Sequence, residues 1–237
     1  MRYLVVVLLV AAGCSQKVYA PPSQLFAVTP IAALPETQQA LDIDVSRHAQ
    51  IFDPPVDAAD GRLRVGLGND TEASIEGTAA AVTDSGTSNA SRTFYTGRAG
   101  VRTNPDRGAF TFFAGAGGGY AAAGGSFISA DGGLAVGYVN CVLVPTAQAS
   151  AYVSKPIDPQ PIDVTTDEKH PTYDTPSTTL GGVLRVGVRV SLSPAACRRG
   201  EQSAWLVGGV GVTKMVDQDS DAAIPGVGLG IEIPLTD

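Results

Sequence analysis

The sequence lacks the features that mark several common protein classes. No uninterrupted apolar run reaches the roughly 18 residues of a transmembrane helix, which excludes a helical membrane bundle. The chain has 16 basic and 23 acidic residues, and its net charge of −7 argues against a nucleic-acid binder, which needs a basic face. Charged residues make up only 16% of the chain and apolar residues 44%, a balance that excludes a disordered chain.

Signatures of cofactor chemistry are missing as well. Despite 28 glycines, the chain contains neither a G-x-G-x-x-G fingerprint nor a Gly-Lys pair of a phosphate-binding loop. The 3 cysteines form no C-x-x-C motif, and only His48 and His170 are available to complete a zinc site. We therefore expect no cofactor and no metal.

The N-terminus has the form of a secretory signal. Arg2 precedes an apolar stretch over residues 3–10, which is too short to span a bilayer, and small residues then lead into Cys14. Residues 11–14 (Ala-Ala-Gly-Cys) resemble the lipobox of bacterial lipoproteins. The resemblance implies cleavage before Cys14, a diacylglycerol on its thiol and a fatty acid such as palmitate on its amine. In that family, Ser rather than Asp at the position after the cysteine, here Ser15, is associated with sorting to the outer membrane. The alternative is an ordinary secretory signal with an incidental cysteine.

This assignment divides the chain into three parts. Residues 1–13 are expected to be the signal peptide, residues 14–40 the lipid anchor and a proline-containing linker, and residues 41–237 the folded domain. Gly13 is the only glycine before Gly61, so composition changes across the linker. Once Cys14 is lipidated, Cys141 and Cys197 remain as an even pair in an exported protein, which predicts a disulfide. Two free buried thiols are the alternative.

The folded part shows a period of two residues. Between residues 180 and 192, apolar side chains alternate with Gly, Arg and Ser, as expected for a strand with two different faces. About ten segments share this pattern: 41–52, 62–68, 71–82, 93–103, 109–118, 126–138, 141–153, 179–193, 203–216 and 223–235. Their connections alternate between tight turns and longer loops. The pattern resembles outer-membrane β-barrels and implies an all-β, antiparallel, up-and-down barrel of about ten strands.

The polar faces of these strands carry charges of both signs. They are Arg62, Arg64, Glu72, Glu76, Arg98, Arg102, Asp131, Arg185, Arg189 and Glu232. Paired charges suit a barrel interior, so we expect these side chains inside and the apolar faces against lipid. The alternative is a lipid-anchored soluble barrel, with charges toward water and a small apolar ligand in its centre.

Two further features have a possible chemical role. Asp44, Ser46 and His48 are the residue types of a hydrolytic triad, but positions i and i+2 of a strand stand roughly 6.6–7 Å apart. We therefore expect the serine and histidine not to touch, and an outer-membrane hydrolase is only a minor alternative. Residues 154–177, rich in proline and acidic residues, predict an exposed loop where a protein partner or ligand would bind.

These expectations combine into one hypothesis. The chain is expected to be a non-enzymatic, lipid-anchored barrel of the outer membrane with a structural or interaction role. Membrane lipid is the expected partner, through the acyl chains on Cys14, and nucleic acid is not. The interior is expected to be plugged and lined by charges, because side chains can largely fill a barrel of ten strands.

Overall fold

A computed structural model describes most of the chain. The described residues are 22–24, 28, 30–48, 56–82, 92–105, 109–121, 125–163, 173–199, 201–216 and 221–235. Among them, only Pro194–Arg198 forms a helix, α1. None of the helical structure in these ranges has the length and apolar character needed to cross a membrane.

Strands make up almost all of the regular structure. In chain order they are β1 (Gln39–His48), β2 (Val56–Gly68), β3 (Thr71–Val82), β4 (Arg92–Thr103), β5 (Phe110–Ala121), β6 (Gly125–Gly137), β7 (Leu143–Pro159), β8 (Ile162–Asp163), β9 (Tyr173–Asp174), β10 (Thr179–Ser191), β11 (Trp205–Val216) and β12 (Asp221–Pro234). The two short strands, β8 and β9, pair only with each other. The other ten close into an antiparallel barrel in which β1 pairs with β12, so the predicted fold class is confirmed.

The alternation of side chains gives the barrel wall two different faces. On β10, Leu184 and Val186 point outward and are 61% and 56% exposed, whereas Arg185 between them is buried inside. The same alternation on β1 buries Asp42 and leaves Ile43 exposed. The apolar face of each strand therefore lies outside the barrel and its polar face lies inside.

The two ends of the barrel differ in their connections. At one end, here called the short-turn end, β1 begins and β12 ends, and short connections such as residues 69–70 and 138–142 join neighbouring strands. At the opposite end, here called the long-loop end, β1, β3, β5, β7 and β11 end and β2, β4, β6, β10 and β12 begin. Asn69 and Asp70 both adopt positive φ in the tight turn between β2 and β3, a conformation that these residue types tolerate.

A disulfide bond joins two connections at the short-turn end. Cys141, in the connection before β7, bonds to Cys197 in α1, and their Cα atoms are 5.4 Å apart. β7 and β10 are neighbours in the barrel, so both cysteines lie at the same end of adjacent strands. The predicted pairing is confirmed, and two free thiols are excluded.

Some strand boundaries differ from the predicted ones. β2 begins at Val56 rather than at residue 62, because pairing with β1 and β3 continues through a stretch with no clear strand pattern of its own. β7 continues to Pro159, so the predicted loop over residues 154–177 starts later. Within that loop the β8–β9 hairpin is described, whereas residues 164–172 lie outside the described residues, as do the signal segment and Cys14.

The described part of the region expected to be a linker does not lie outside the barrel. Five of its residues are buried: Pro22, Ser23, Val28, Pro30 and Ile31. The last four contact inward-facing side chains of the wall. The expectation of an external tether is therefore corrected for the described residues between 22 and 38, here called the lumenal segment.

Candidate functional site

The lower part of the lumen, toward the short-turn end, contains a network of ion pairs. Its members, here called the lower cluster, are Asp42, Arg62, Arg64, Glu72, Arg102, Arg189 and Glu232. Asp42 forms ion pairs with two arginines. The distance from its Oδ2 atom is 2.6 Å to Arg62 Nε and 2.9 Å to Arg64 Nε. Desolvated charges of this kind are tolerated when they are paired and hydrogen-bonded.

Two glutamates join the rest of the lower cluster. Glu72 is 1% exposed; it pairs with Arg102 at 2.6 Å and with Arg64 at 3.3 Å. Glu232 pairs with Arg64 at 2.7 Å and with Arg189. Arg64 therefore bridges three carboxylates, Asp42, Glu72 and Glu232, and connects the members of the lower cluster.

A second group of charges lies near mid-height. Arg98 donates two hydrogen bonds of 2.7 Å to Asp131 and a third of 2.7 Å to Glu76. Thr78 donates to Asp60, which projects from the early part of β2. The bidentate arginine–aspartate geometry fixes the orientation of Arg98 across the lumen.

Strand register brings these charges together. Arg102 lies opposite Glu72, and Arg98 lies opposite Glu76, in the pairing of β3 with β4. Residues two apart on a strand share a face, so each strand contributes its charges to the same side of the wall. Cross-strand neighbours of opposite sign then meet within the lumen.

The backbone of the lumenal segment forms hydrogen bonds with side chains of the lower cluster and with Asn104. Arg102 donates to the backbone oxygens of Pro30 and Ala32, the latter at 2.8 Å. Asn104 donates to the Ile31 oxygen at 2.7 Å, and Glu72 accepts the Leu34 backbone N–H at 3.1 Å. This part of the chain forms no strand or helix, so its buried backbone groups need such partners.

Apolar contacts hold the same segment against the wall. Ile31 is fully buried and packs against Phe113, Ala135 and Val144. Trp205 packs against this group of four apolar residues and also against the pair formed by Val28 and Val207. These apolar contacts lie in the lower part of the barrel.

The guanidinium of Arg189 lies 4.7 Å from the centre of the Trp205 ring, within the range of a cation–π contact. Trp205 is the chain's only tryptophan. Its fluorescence is consequently a direct reporter of the lumen.

Higher in the barrel the contacts are polar. Thr96 donates to the Ser23 backbone oxygen at 2.9 Å, and the Ser23 N–H donates to the Ser129 hydroxyl at 2.9 Å. Gln24 donates to Glu76 at 2.8 Å. The lumenal segment is therefore bound by the wall both at the short-turn end and above mid-height.

One expectation about β1 is wrong. The Ser46 hydroxyl and His48 Nε2 lie 3.1 Å apart and share a hydrogen bond, although they are two residues apart on one strand. Both side chains point into the lumen and lean along the strand toward each other, which shortens the distance that their Cα spacing suggests. Asp44 lies opposite Asp60 in the β1–β2 register. A serine–histidine contact alone does not make a hydrolase, which also needs an acid that orients the ring and donors for an oxyanion.

The ten charged residues singled out from the sequence all project into the barrel. The side chains of Glu76 and Asp131 are each 10% exposed. The other eight residues are buried: Arg62, Arg64, Glu72, Arg98, Arg102, Arg185, Arg189 and Glu232. Sequence reasoning missed Asp60, because β2 was predicted to begin after it. It also missed the lumenal segment, for which the alternation pattern carries no signal.

The centre of the barrel does not suit a small apolar ligand. Ion pairs and the lumenal segment occupy it, while Val186 and Leu229 face outward at 56% and 60% exposure. That alternative is therefore corrected. No cluster of three or more His, Cys, Asp or Glu side chains within the described ranges has the arrangement of a metal site.

Comparison with known proteins identifies the fold and no family. No protein-family model matches the chain, and no curated protein matches it. The β domain of the Bordetella autotransporter BrkA matches with a TM-score of 0.50 and 11% identity, over 84% of this chain and 99% of that one. Neisserial surface protein A matches with a TM-score of 0.42 and 9% identity, over 83% of this chain and 95% of that one. Both are outer-membrane β-barrels, and at 11% identity the likeness to the BrkA domain extends to the fold alone.

Replacing Glu72 tests the lower cluster. Glu72→Gln keeps the shape of the side chain but leaves Arg64 and Arg102 without a shared carboxylate. We expect the free energy of unfolding to fall by about 3 kcal/mol or more, as when one partner of a buried ion pair is removed. Urea titration of the purified barrel, followed by Trp205 fluorescence, measures the change.

The exposed pair Arg199–Glu201 supplies a matched control, because its side chains are 61% and 54% exposed. Glu201→Gln is expected to leave the unfolding midpoint unchanged, since solvent screens exposed pairs. Equal effects of the two substitutions would contradict a network that depends on burial.

Proposed function

We propose that this protein is a lipid-anchored β-barrel of the outer membrane whose lumen is closed by its own N-terminal segment. Its role is structural or one of interaction rather than catalysis or open-pore transport. The observation that carries the proposal is the inverted distribution of side chains, with apolar residues outside the barrel and paired charges inside.

The outer surface has the character of a lipid-facing band. It is rich in exposed aliphatic and aromatic side chains, including Ile43, Val45, Leu63, Ile75, Val101, Phe112, Ile128, Leu134, Leu180, Leu184, Val186, Leu206, Val210, Val227 and Leu229. A soluble protein rarely exposes so continuous an apolar surface, whereas a membrane barrel needs one. Closure of the ten-stranded sheet also leaves no unpaired strand edge in the lipid.

Tyrosines lie near both rims of this band. Tyr95 and Tyr120 are 57% and 54% exposed toward the long-loop end, and Tyr138 is 71% exposed at the short-turn end. Amphipathic rings favour the interface between lipid and water. Tyr152, by contrast, is 6% exposed and points into the lumen, so it is not part of such a belt.

A charge placed on the outer face tests membrane insertion. Ile75 lies near the middle of β3 and is 68% exposed. Ile75→Lys is expected to reduce the stability of the barrel in lipid vesicles by about 2–4 kcal/mol, because a cation near the bilayer midplane is poorly solvated. Val139→Lys, at the short-turn end, is expected to cost about 0–1 kcal/mol, as near the interface. Equal effects of the two substitutions in vesicles would contradict insertion.

The lumenal segment supports a closed rather than an open barrel. Ile31 and Val28 fill space near Trp205, and Arg102 holds the backbone of the segment across the lower lumen. A barrel of ten strands has a narrow interior, which one extended chain and several arginine side chains can fill.

Conductance tests this closure. We expect the wild-type barrel to be nearly silent in a planar lipid bilayer. Replacing residues 23–34 with a Gly-Ser chain of equal length removes the contacts of Ile31 and Val28, and the conductance is expected to rise at least tenfold. A red shift in Trp205 emission would verify that water has entered, and heat-modifiable mobility on a gel would verify that the barrel is folded. A folded, red-shifted variant that stays silent would contradict closure by this segment.

Lipidation at Cys14 rests on the resemblance of residues 11–14 to a lipobox. Acyl chains contribute about 0.8 kcal/mol for each buried CH₂, and two or three chains on one residue make a stable anchor. Cells grown with labelled palmitate are expected to incorporate it into the wild-type protein and not into Cys14→Ser. Cys141→Ser is the matched control and is expected to retain the label. Label that persists in Cys14→Ser would contradict the lipobox assignment.

A further inference from the structure

The lumenal segment has a direction within the barrel. Thr37 donates its backbone N–H to the Gly66 oxygen at 3.0 Å, and Ile31 contacts Asn104 and Thr111, so this part lies at the short-turn end. Following the chain toward its N-terminus, Val28 contacts Val207 on β11. The segment therefore rises from the start of β1 into the lumen.

The next contacts lie higher still. Gln24 reaches Glu76 near the middle of β3. Ser23 is bound between Thr96 and Ser129, which lie in the first halves of β4 and β6. Both of these strands begin at the long-loop end. Pro22 is also buried, so at the last described residue the chain is above mid-height and still inside the wall.

The remaining distance to the long-loop rim is short. Thr96 lies four residues from the start of β4, and each residue of a tilted strand rises about 2.5 Å, which places Ser23 about 10 Å below the rim. The nine residues 14–22 can span about 30 Å when extended. Cys14 is thus well within reach of the membrane surface at the long-loop end.

A return to the short-turn end would require a second pass through the same lumen. The lower lumen already holds Ile31 and Val28 against Trp205, and the lower cluster occupies the space beside them. A second extended chain would have to displace paired charges, and it would bring more backbone groups that need partners.

We propose that the chain threads the barrel from the long-loop end, so that residues 14–21 and the acyl chains on Cys14 lie on the outer side of the outer membrane. The proposal rests on the proposed function for membrane insertion, because long loops of such barrels face the exterior and short turns face the periplasm. The acyl chains then enter the outer leaflet above the barrel that the same chain forms. The anchor and the start of β1 would lie at opposite faces of one membrane, with the lumenal segment joining them.

Three epitope tags in the full-length protein test this topology in intact cells. The first is inserted after Ser15, the second after Asp167 in the long loop between β8 and β9, and the third after Glu201 at the short-turn end. An antibody that cannot cross the outer membrane is added before and after permeabilisation. Heat-modifiable mobility on a gel selects variants that have folded.

The expected result is that the tags after Ser15 and Asp167 bind antibody on intact cells at least tenfold more than the tag after Glu201. If the tag after Ser15 instead requires permeabilisation, as the tag after Glu201 does, the threading is overturned while insertion stands. If the tags after Asp167 and Glu201 behave alike, membrane insertion fails and the threading fails with it.

A second measurement needs no insertion in the chain. Lys17 of the untagged protein is labelled on intact cells with a membrane-impermeant amine reagent, and Lys17→Arg identifies its peptide by mass spectrometry. Labelling of Lys17 to within about twofold of its level in permeabilised cells is expected. Labelling that rises tenfold or more on permeabilisation would overturn the proposal.

Discussion

Charge pairing inside a closed wall is the constraint on which the rest of this structure depends. The barrel turns guanidinium and carboxylate groups inward, where water is scarce, and each buried charge is costly unless an opposite charge lies beside it. Arg64, on β2, illustrates the solution, since it contacts Asp42 on β1, Glu72 on β3 and Glu232 on β12. Because these residues come from both sides of the β1–β12 closure, the ion pairs also link the first and last strands of the sheet.

The lumenal segment belongs to this pairing rather than filling a space left by it. Glu72 accepts hydrogen bonds from the Arg102 guanidinium and from the Leu34 backbone N–H of the segment. Arg102 also donates to the backbone oxygen of Pro30 in the same segment. Wall and segment consequently share the same side chains. Stability of the lower barrel and occupancy of its lumen should therefore change together.

Glycine makes room for this arrangement. Gly187 and Gly209 face Val28, and a Cβ atom at either position would crowd its methyl groups. A Cβ on Gly115 would meet the guanidinium of Arg98. In a narrow barrel, small residues on the inner face allow long arginine side chains and an extra chain segment to pack inside the wall. The high glycine content reflects this packing rather than a phosphate-binding loop.

Much of this architecture is determined by the sequence alone, because a strand's alternation is local. The number of wall strands, the long and short connections and the presence of two different faces on each strand follow from spacing along the chain. The inward position of the charged faces and the Cys141–Cys197 pair were expected with alternatives left open, and the closed barrel decides both. Only the tertiary structure decides which partners meet inside. Arg62 lies opposite Asp42 on β1 and opposite Glu76 on β3, and it bonds to Asp42. The lumenal segment enters the barrel because a closed ring of strands creates a polar cavity of fixed width, and no local pattern encodes which part of the chain will fill it.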